Sequence, residues 1–333
     1  IITVDVGTDT VLDLGGAGGD EDDVVVIEAG ATLAATGIAG FTATNVTTNK
    51  STGAGNATLT AKADAAVTID VSGAKSDSKG FTLEGGSGTG NDILTGGAGA
   101  DIITGGAQVD TITGGGEVDT IAGGAGNDII TGGAGNDIIT VDVGTDTVLD
   151  LGGAGSGGES DVVIVADGAT LNATGVISFT ATSATQNNST GAGNATLTAR
   201  TSGGSTMDVS AATGSSKAFT LTGATGVDIL TGGAGADIIV GAGNNDVLKG
   251  GGGSDSIIGG AGMDIITGGT GNDIITVDAS FDSVTDLGGA GGDESDVLIV
   301  AAGAIASATG IIGFTATSAT QNNSYGAGSV TLS

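Results

Sequence analysis

Apolar residues along this chain follow no helical period and form no long runs. In two stretches they recur every nine residues. From Ser87 to Thr140 the chain reads SGTGNDILT, GGAGADIIT, GGAQVDTIT, GGGEVDTIA, GGAGNDIIT, GGAGNDIIT. From Gly223 to Thr276 it reads GATGVDILT, GGAGADIIV, GAGNNDVLK, GGGGSDSII, GGAGMDIIT, GGTGNDIIT. Position six is Asp, and position eight Ile or Leu, in all twelve nonapeptides. The first six positions predict a turn, because Gly permits φ > 0 and leaves carbonyl oxygens unobstructed. The last three predict a very short strand, with position eight facing one way and positions seven and nine the other. Two nonapeptides then make one coil of a flattened right-handed solenoid. Its inner row is Leu94, Ile103, Ile112, Ile121, Ile130 and Ile139 in the first block, and Leu230, Ile239, Leu248, Ile257, Ile266 and Ile275 in the second.

The frame runs on past each block. VDVGTDTVL at 141–149 keeps Gly at position four, Asp146 at six and Val148 at eight, and VDASFDSVT at 277–285 keeps Asp282 and Val284. Asp9 holds the same slot near the start of the chain. These predict a degenerate seventh turn that closes each roll. Residues 24–84, 162–222 and 297–333 lack the nonapeptide but carry short alternating stretches such as ATLTA, VTIDVS and GFTLEGG, which predict more β-structure. Either the solenoid continues there in wider coils or a small sandwich interrupts it. FTLEGG runs into the first nonapeptide without a linker, which favours the continuing solenoid.

A longer repeat contains the short one. IITVDVGTDTVLDLGGAG at 1–18 recurs unchanged at 138–155, and IITVDASFDSVTDLGGAG occupies 274–291. STGAGNATLTA at 51–61 is matched at 189–199, and Phe41, Phe179 and Phe314 share the first position of FTAT. The unit is about 137 residues. The expected organisation is a partial unit over 1–86, a roll block over 87–149, a β-segment over 150–222, a second block over 223–285 and a truncated β-segment over 286–333. Both ends fall inside a unit, so the sequence reads as a piece of a longer tandem array.

Composition narrows the chemistry. The 333 residues include 69 Gly, no Pro, no Cys, no His and no Trp, and aromatics are only 2%, so the core must be thin and aliphatic. Without Cys, something other than disulfides must staple the fold. No apolar run is long enough for a membrane span. Thirty-eight acids against seven bases give a formal charge of −31, which opposes compaction unless counter-charge is bound. The same sign argues against nucleic acid, which needs a basic face.

The acids are arranged. Turns i and i+2 stack on one side of the coil, placing position-six carboxylates one strand spacing apart, about 4.8 Å. Unpaired, they repel. With Ca²⁺ between them, the carboxylates and the turn carbonyls supply the six to eight hard oxygens that this ion takes, whereas Mg²⁺ holds its waters and a tight octahedron. The candidate ligands are Asp92, Asp101, Asp110, Asp119, Asp128, Asp137 and Asp146 in the first block. In the second they are Asp228, Asp237, Asp246, Asp255, Asp264, Asp273 and Asp282, with Asp9 as an outlying member. Seven turns leave five gaps per block, hence roughly ten Ca²⁺, or about +20 against −31.

These residues resemble the RTX (repeats-in-toxin) calcium nonapeptide, GGxGxDxUx. The resemblance covers about a third of the chain directly and implies a calcium-filled parallel β-roll exported by a type I secretion route. The longer unit resembles RTX-bearing bacterial surface-layer and giant surface proteins. Departures occur at position four, where Gln108, Glu117 and Asn244 replace Gly. Asn tolerates left-handed geometry better than Gln or Glu, and Glu117 either adds a ligand or sits in a degenerate turn that still holds calcium.

Other motifs carry less. GGDEDD at 18–23 and GGDESD at 291–296 are acidic loops, either a further calcium site or solvated. Asn45, Asn56 and Asn194 lie in N-x-[ST] sequons of a Thr-rich sequence. Position seven is apolar in nine nonapeptides, including Ile129 and Ile265, and faces either a neighbouring subunit or the intervening segments. Absence of His and Cys removes most acid–base, nucleophilic and zinc chemistry. No P-loop lysine follows the Gly pattern, and no EF-hand loop is present.

The expectation is a non-enzymatic, extracellular or bacterial cell-surface structural protein without a small-molecule substrate. Calcium drives its folding and its self-association into a fibre or lattice. The alternative is the calcium-rigidified stalk of a large RTX adhesin. A third idea, ice binding by outward Ile and Thr rows, is weakened where Val240, Lys249 and Ile258 interrupt the Thr row.

Overall fold

A computed structural model describes the whole chain except residues 13, 15–22, 52–56, 64, 76–78, 153–158, 190–194, 215–216, 279–280, 288–294, 310, 312–320, 323–329 and 333. Asn56, Asn194, Phe314 and most of both acidic loops, at 18–23 and 291–296, lie outside the described residues. The described residues contain strands and turns and no helix, so no helix is long and apolar enough to cross a membrane. The chain divides into two compact units, Ile1–Leu171 and Asn172–Ser333. Each is a parallel β-solenoid.

In the first unit Ile2–Val4, Val25–Ile27 and Thr48–Asn49 form a three-stranded parallel sheet, and from Ala57 onward the chain alternates between two longer parallel sheets. One carries Ala57–Ala61, Thr82–Glu84, Ile102–Ala107, Thr120–Ala125, Ile138–Val141 and Val162–Val165. The other carries Thr68–Asp70, Ile93–Thr95, Thr111–Gly116, Ile129–Ala134 and Thr145–Asp150. Leu94 pairs with Ile112 and Ile103 with Ile121, so one coil is two nonapeptides. The position-eight rows meet between the sheets, and Leu94, Ile103, Ile112, Ile121, Ile130 and Ile139 are fully buried. A single aliphatic per short strand suffices because each strand is hydrogen-bonded to strands one coil away on both sides.

The second unit repeats this design. Ile229–Thr231, Val247–Gly252, Ile265–Thr270 and Phe281–Asp286 stack in one sheet, and Thr220–Thr222, Ile238–Gly243, Ser256–Ala261 and Ile274–Val277 in the other. Leu230, Ile239, Leu248, Ile257, Ile266 and Ile275 form its fully buried row.

The flanking segments continue these sheets, as the run-on of FTLEGG predicts. Their coils are wider. Leu59 pairs with Leu83 in a coil of 24 residues, against 18 inside the blocks. Alternate Ala and Leu fill the interior: Ala31, Leu33, Ala35, Ala57 and Leu59 are all buried. A buried Asn pins one corner of the wide coil. Asn49 Nδ2 donates to the Gly80 carbonyl at 2.7 Å and its Oδ1 accepts from Ser51 N; Asn187 does the same with Ala218 and Ser189.

The strands inside the blocks differ from expectation. Three residues were expected, but most contain six, running through the Gly-Gly pair into position three. Gly106 and Ala107 pair in register with Gly124 and Ala125. Without a Cβ, the two glycines let neighbouring coils approach closely enough to extend the ladder past position nine.

Candidate metal centres

Inside each block the position-six aspartates are stacked by their own backbone. Asp110 Oδ1 accepts a hydrogen bond from the Asp92 amide at 2.7 Å, one coil before it. Asp119 reaches Asp101, Asp128 reaches Asp110, Asp137 reaches Asp119 and Asp146 reaches Asp128, all within 2.7–2.9 Å. The second block repeats the ladder from Asp246 on Asp228 to Asp282 on Asp264 at 2.8–2.9 Å. All fourteen of these aspartates are at most 1% exposed.

The second carboxylate oxygen sets up the chemistry. Oδ2 of Asp110, Asp119, Asp128, Asp137 and Asp146 is buried and accepts no hydrogen bond, and the same holds for Asp246, Asp255, Asp264 and Asp282. A buried carboxylate oxygen without a donor costs folding free energy unless a cation satisfies it. The position-one glycine marks the space beside it. A Cβ on Gly105 or Gly114 would stand less than 3.0 Å from the Oδ2 of Asp110 or Asp119 and from the Gly123 or Gly132 carbonyl of the next coil. Carboxylate and carbonyl oxygens thus converge on one cradle. Among the described residues no three carboxylates converge on a point, so a cation here would draw on backbone carbonyls as well. That mixed, all-oxygen donor set suits Ca²⁺.

Electrostatics agree. Burial pushes the Asp119 carboxyl up to about 8, helped by the charges of Asp101, Asp137 and Glu117 and opposed by the Asp101 amide. Burial likewise raises Asp246, Asp255 and Asp282 to about 7, and Asp110, Asp137 and Asp146 to about 6, with neighbouring aspartates adding to each. Without counter-charge, the ladder resists ionisation.

The family model of the RTX calcium-binding nonapeptide repeat matches residues 82–121, 113–148, 220–248, 240–275 and 249–284. The two blocks are RTX calcium-binding repeats. Comparison with curated proteins finds no match.

The turns of these RTX blocks account for the departures at position four. Gln108, Glu117 and Asn244 adopt φ of 80°, 70° and 71°, the left-handed conformation that Gly takes in neighbouring turns. The Glu117 side chain is exposed. Asp9, by contrast, lies half-buried in strand Gly7–Val11 opposite Leu33, and among the described residues no ladder hydrogen bond reaches it.

Asp161, Asp142, Asp278 and the position-five asparagines went unmarked in the sequence, and Asp296 stood out only as the end of the acidic loop GGDESD at 291–296, either a further calcium site or solvated. Asp161 and Asp296, both 2% exposed, extend the RTX ladder beyond the nonapeptides: Asp161 Oδ1 accepts from Asp137 N and Asp296 Oδ1 from Asp273 N, both at 2.9 Å. Each comes after a coil lengthened to 24 or 23 residues, which breaks the period. The remaining signal was an Asp two residues before an inward aliphatic, Val163 or Leu298. Asp142 and Asp278 stand at position two and reach back to the amides of Gly124 and Gly260. Position five carries a second ladder, in which Asn127, Asn136, Asn245 and Asn272 accept through Oδ1 from the amide one coil later, each at 2.8 Å.

Proposed function

We propose that this chain is a calcium-dependent structural protein of the cell exterior. Calcium between stacked turns drives it to fold, and the folded solenoids pack together into a surface layer, sheath or filament. The observation that carries this reading is the column of buried Oδ2 atoms without donors in each block. At low calcium the aspartates repel one another and the blocks stay open; at millimolar calcium the turns close, since extracellular calcium modules bind at about 10⁻⁴–10⁻³ M. Binding and folding are then one event. Roughly ten ions would offset about two thirds of the formal −31.

The assembly half rests on the outer face. Ile93, Ile129, Ile138, Ile229, Ile265 and Ile274 are 38–48% exposed in rows along the sheets. Ile229, Val247 and Ile265 run together along one sheet of the second block, and in the first block Ile93 and Ile129 alternate with Thr111 and Thr147; exposed aliphatics on a regular array favour contact with an equally regular partner, and a second copy of the chain is one. The alternative, a spacer for a large adhesin, is supported by the coil-on-coil stacking within each unit. The chain with Ile129→Asp and Ile265→Asp separates the two. In saturating calcium, wild type should form sheets or fibres under negative-stain microscopy, and the variant should fold at the same calcium concentration yet stay dispersed. Assembly of the variant would overturn the contact face; a wild type that folds but remains monomeric would favour the spacer.

A further inference from the structure

The ladder is not uniform. In the first two turns of each block both carboxylate oxygens are taken by backbone amides. Asp92 accepts from Val67 N and Gly86 N, each at 2.8 Å, and Asp101 from Phe81 N at 2.6 Å and Gly97 N at 2.7 Å. Asp228 accepts from Ser205 N at 2.6 Å and Ala224 N at 2.8 Å, and Asp237 from Phe219 N and Gly233 N, both at 2.6 Å. For Asp101, Asp228 and Asp237 the second donor is position two of the same turn, so the turn is closed on its own aspartate.

Backbone conformation divides at the same place. Positions two and four are left-handed in the next four turns of each block: Gly106 and Gln108, Gly115 and Glu117, Gly124 and Gly126, Gly133 and Gly135, then Ala242 and Asn244, Gly251 and Gly253, Gly260 and Gly262, Gly269 and Gly271. None of the first two turns shows a positive φ at either position. Ala242 at φ 78° shows that the rule follows the place of the turn rather than its glycine content, since Gly97 and Gly233 are glycines and do not adopt it. What differs is the coil beneath. Turns from 105 and from 241 onward stack on another nonapeptide turn, whereas the first two stack on segments outside the nonapeptides, where Ile93 pairs with Thr68, Ile102 with Thr82, Ile229 with Thr206 and Ile238 with Thr220.

We propose that the first two turns of each block fold without calcium and serve as the base on which the calcium-filled turns are laid. Ions enter only the gaps whose C-terminal turn has an open carboxylate. Asp92, Asp101, Asp228 and Asp237 are then structural caps and not ligands, and calcium closes each block in one direction, toward its C-terminal end. Stacking on a preformed neighbour removes the costly first step of a nearest-neighbour array. This inference rests on the calcium reading of the ladder.

Two measurements test it. The first uses wild type in a calcium chelator, followed by hydrogen exchange and mass spectrometry. Peptides covering 81–101 and 219–237 should stay protected while those covering 105–150 and 241–286 exchange freely. The second counts bound calcium by equilibrium dialysis and atomic emission. The variant Asp92→Asn, Asp101→Asn, Asp228→Asn, Asp237→Asn should bind as many ions as wild type. The variant Asp110→Asn, Asp119→Asn, Asp246→Asn, Asp255→Asn should lose about four, one per open carboxylate. Equal losses in both variants, or uniform exchange across each block, would overturn the division while leaving calcium binding intact. A wild type that binds no calcium would overturn the reading of the ladder itself. Because the exchange experiment needs no substitution, a caps variant that fails to fold does not protect the proposal.

Discussion

At the residue scale, glycines of one turn differ sharply in what they tolerate. A Cβ on Gly114 would crowd Asp119 Oδ2 and the Gly132 carbonyl, whereas one on Gly116 meets nothing nearer than 3.8 Å, and neither residue has a positive φ. Gly114→Ala should therefore lose one calcium ion and destabilise the calcium-bound form by about 1–3 kcal/mol, the usual cost of overpacking. Gly116→Ala should change stability by less than about 0.5 kcal/mol. Calcium counting with thermal unfolding of the two variants checks this, and equal effects would contradict the cradle. The pH response follows from the same oxygens. Asp110, Asp246 and Asp119 have an ordinary value of 3.8 in the open chain and are raised to about 6, 7 and 8 in the calcium-free fold, so the fold holds protons that the open chain has released. Calcium-free stability is thus fully present below about pH 4 and is lost as pH rises through 6 to 8. In chelator, circular dichroism should show β-structure appearing as pH is lowered from 8 to 5. In calcium, the concentration needed to fill the sites should rise as pH falls below about 6, because protons compete for the carboxylates. No gain of β-structure on acidifying the chelated protein would contradict the electrostatic account.

At the scale of the element, burial alternates within three residues. Ile130 is fully buried and its neighbour Ile129 is 40% exposed. Ile130→Ala should cost about 2–5 kcal/mol in the calcium-bound state, and Ile129→Ala less than about 0.5 kcal/mol; denaturant unfolding in saturating calcium measures both. Similar costs would mean that position seven is covered and position eight is not the core. This alternation was legible in the sequence because a nine-residue period with one invariant aliphatic leaves a single inward slot. The aspartate column was legible for the same reason. Strand length was not, because Gly-Gly reads as a turn by propensity and becomes strand only through close approach to the coil beside it. Nor was Asp161, whose coil is lengthened so that nothing periodic points to it, while Asp296 was visible only as the end of the acidic loop at 291–296. The difference between closed and open turns was invisible too: GGAGAD and GGAGND have nearly one composition, and the coil beneath decides their conformation.

At the scale of the whole molecule, a chain of formal charge −31 with a thin core of Leu, Ile, Val and Ala has little to hold it together without counter-charge. On the proposed reading, calcium between the RTX turns supplies that charge where the carboxylates are buried, which makes the acidity and the fold two aspects of one design. The central claim is that calcium binding and the closing of the turns with open carboxylates are a single event in this chain. Titrating calcium into the chelated protein near neutral pH, with circular dichroism as the readout, tests it most directly. The account predicts a cooperative gain of β-signal at about 10⁻⁴–10⁻³ M calcium, reversed by chelator and not reproduced by equal magnesium. A spectrum that is the same with and without calcium would contradict it.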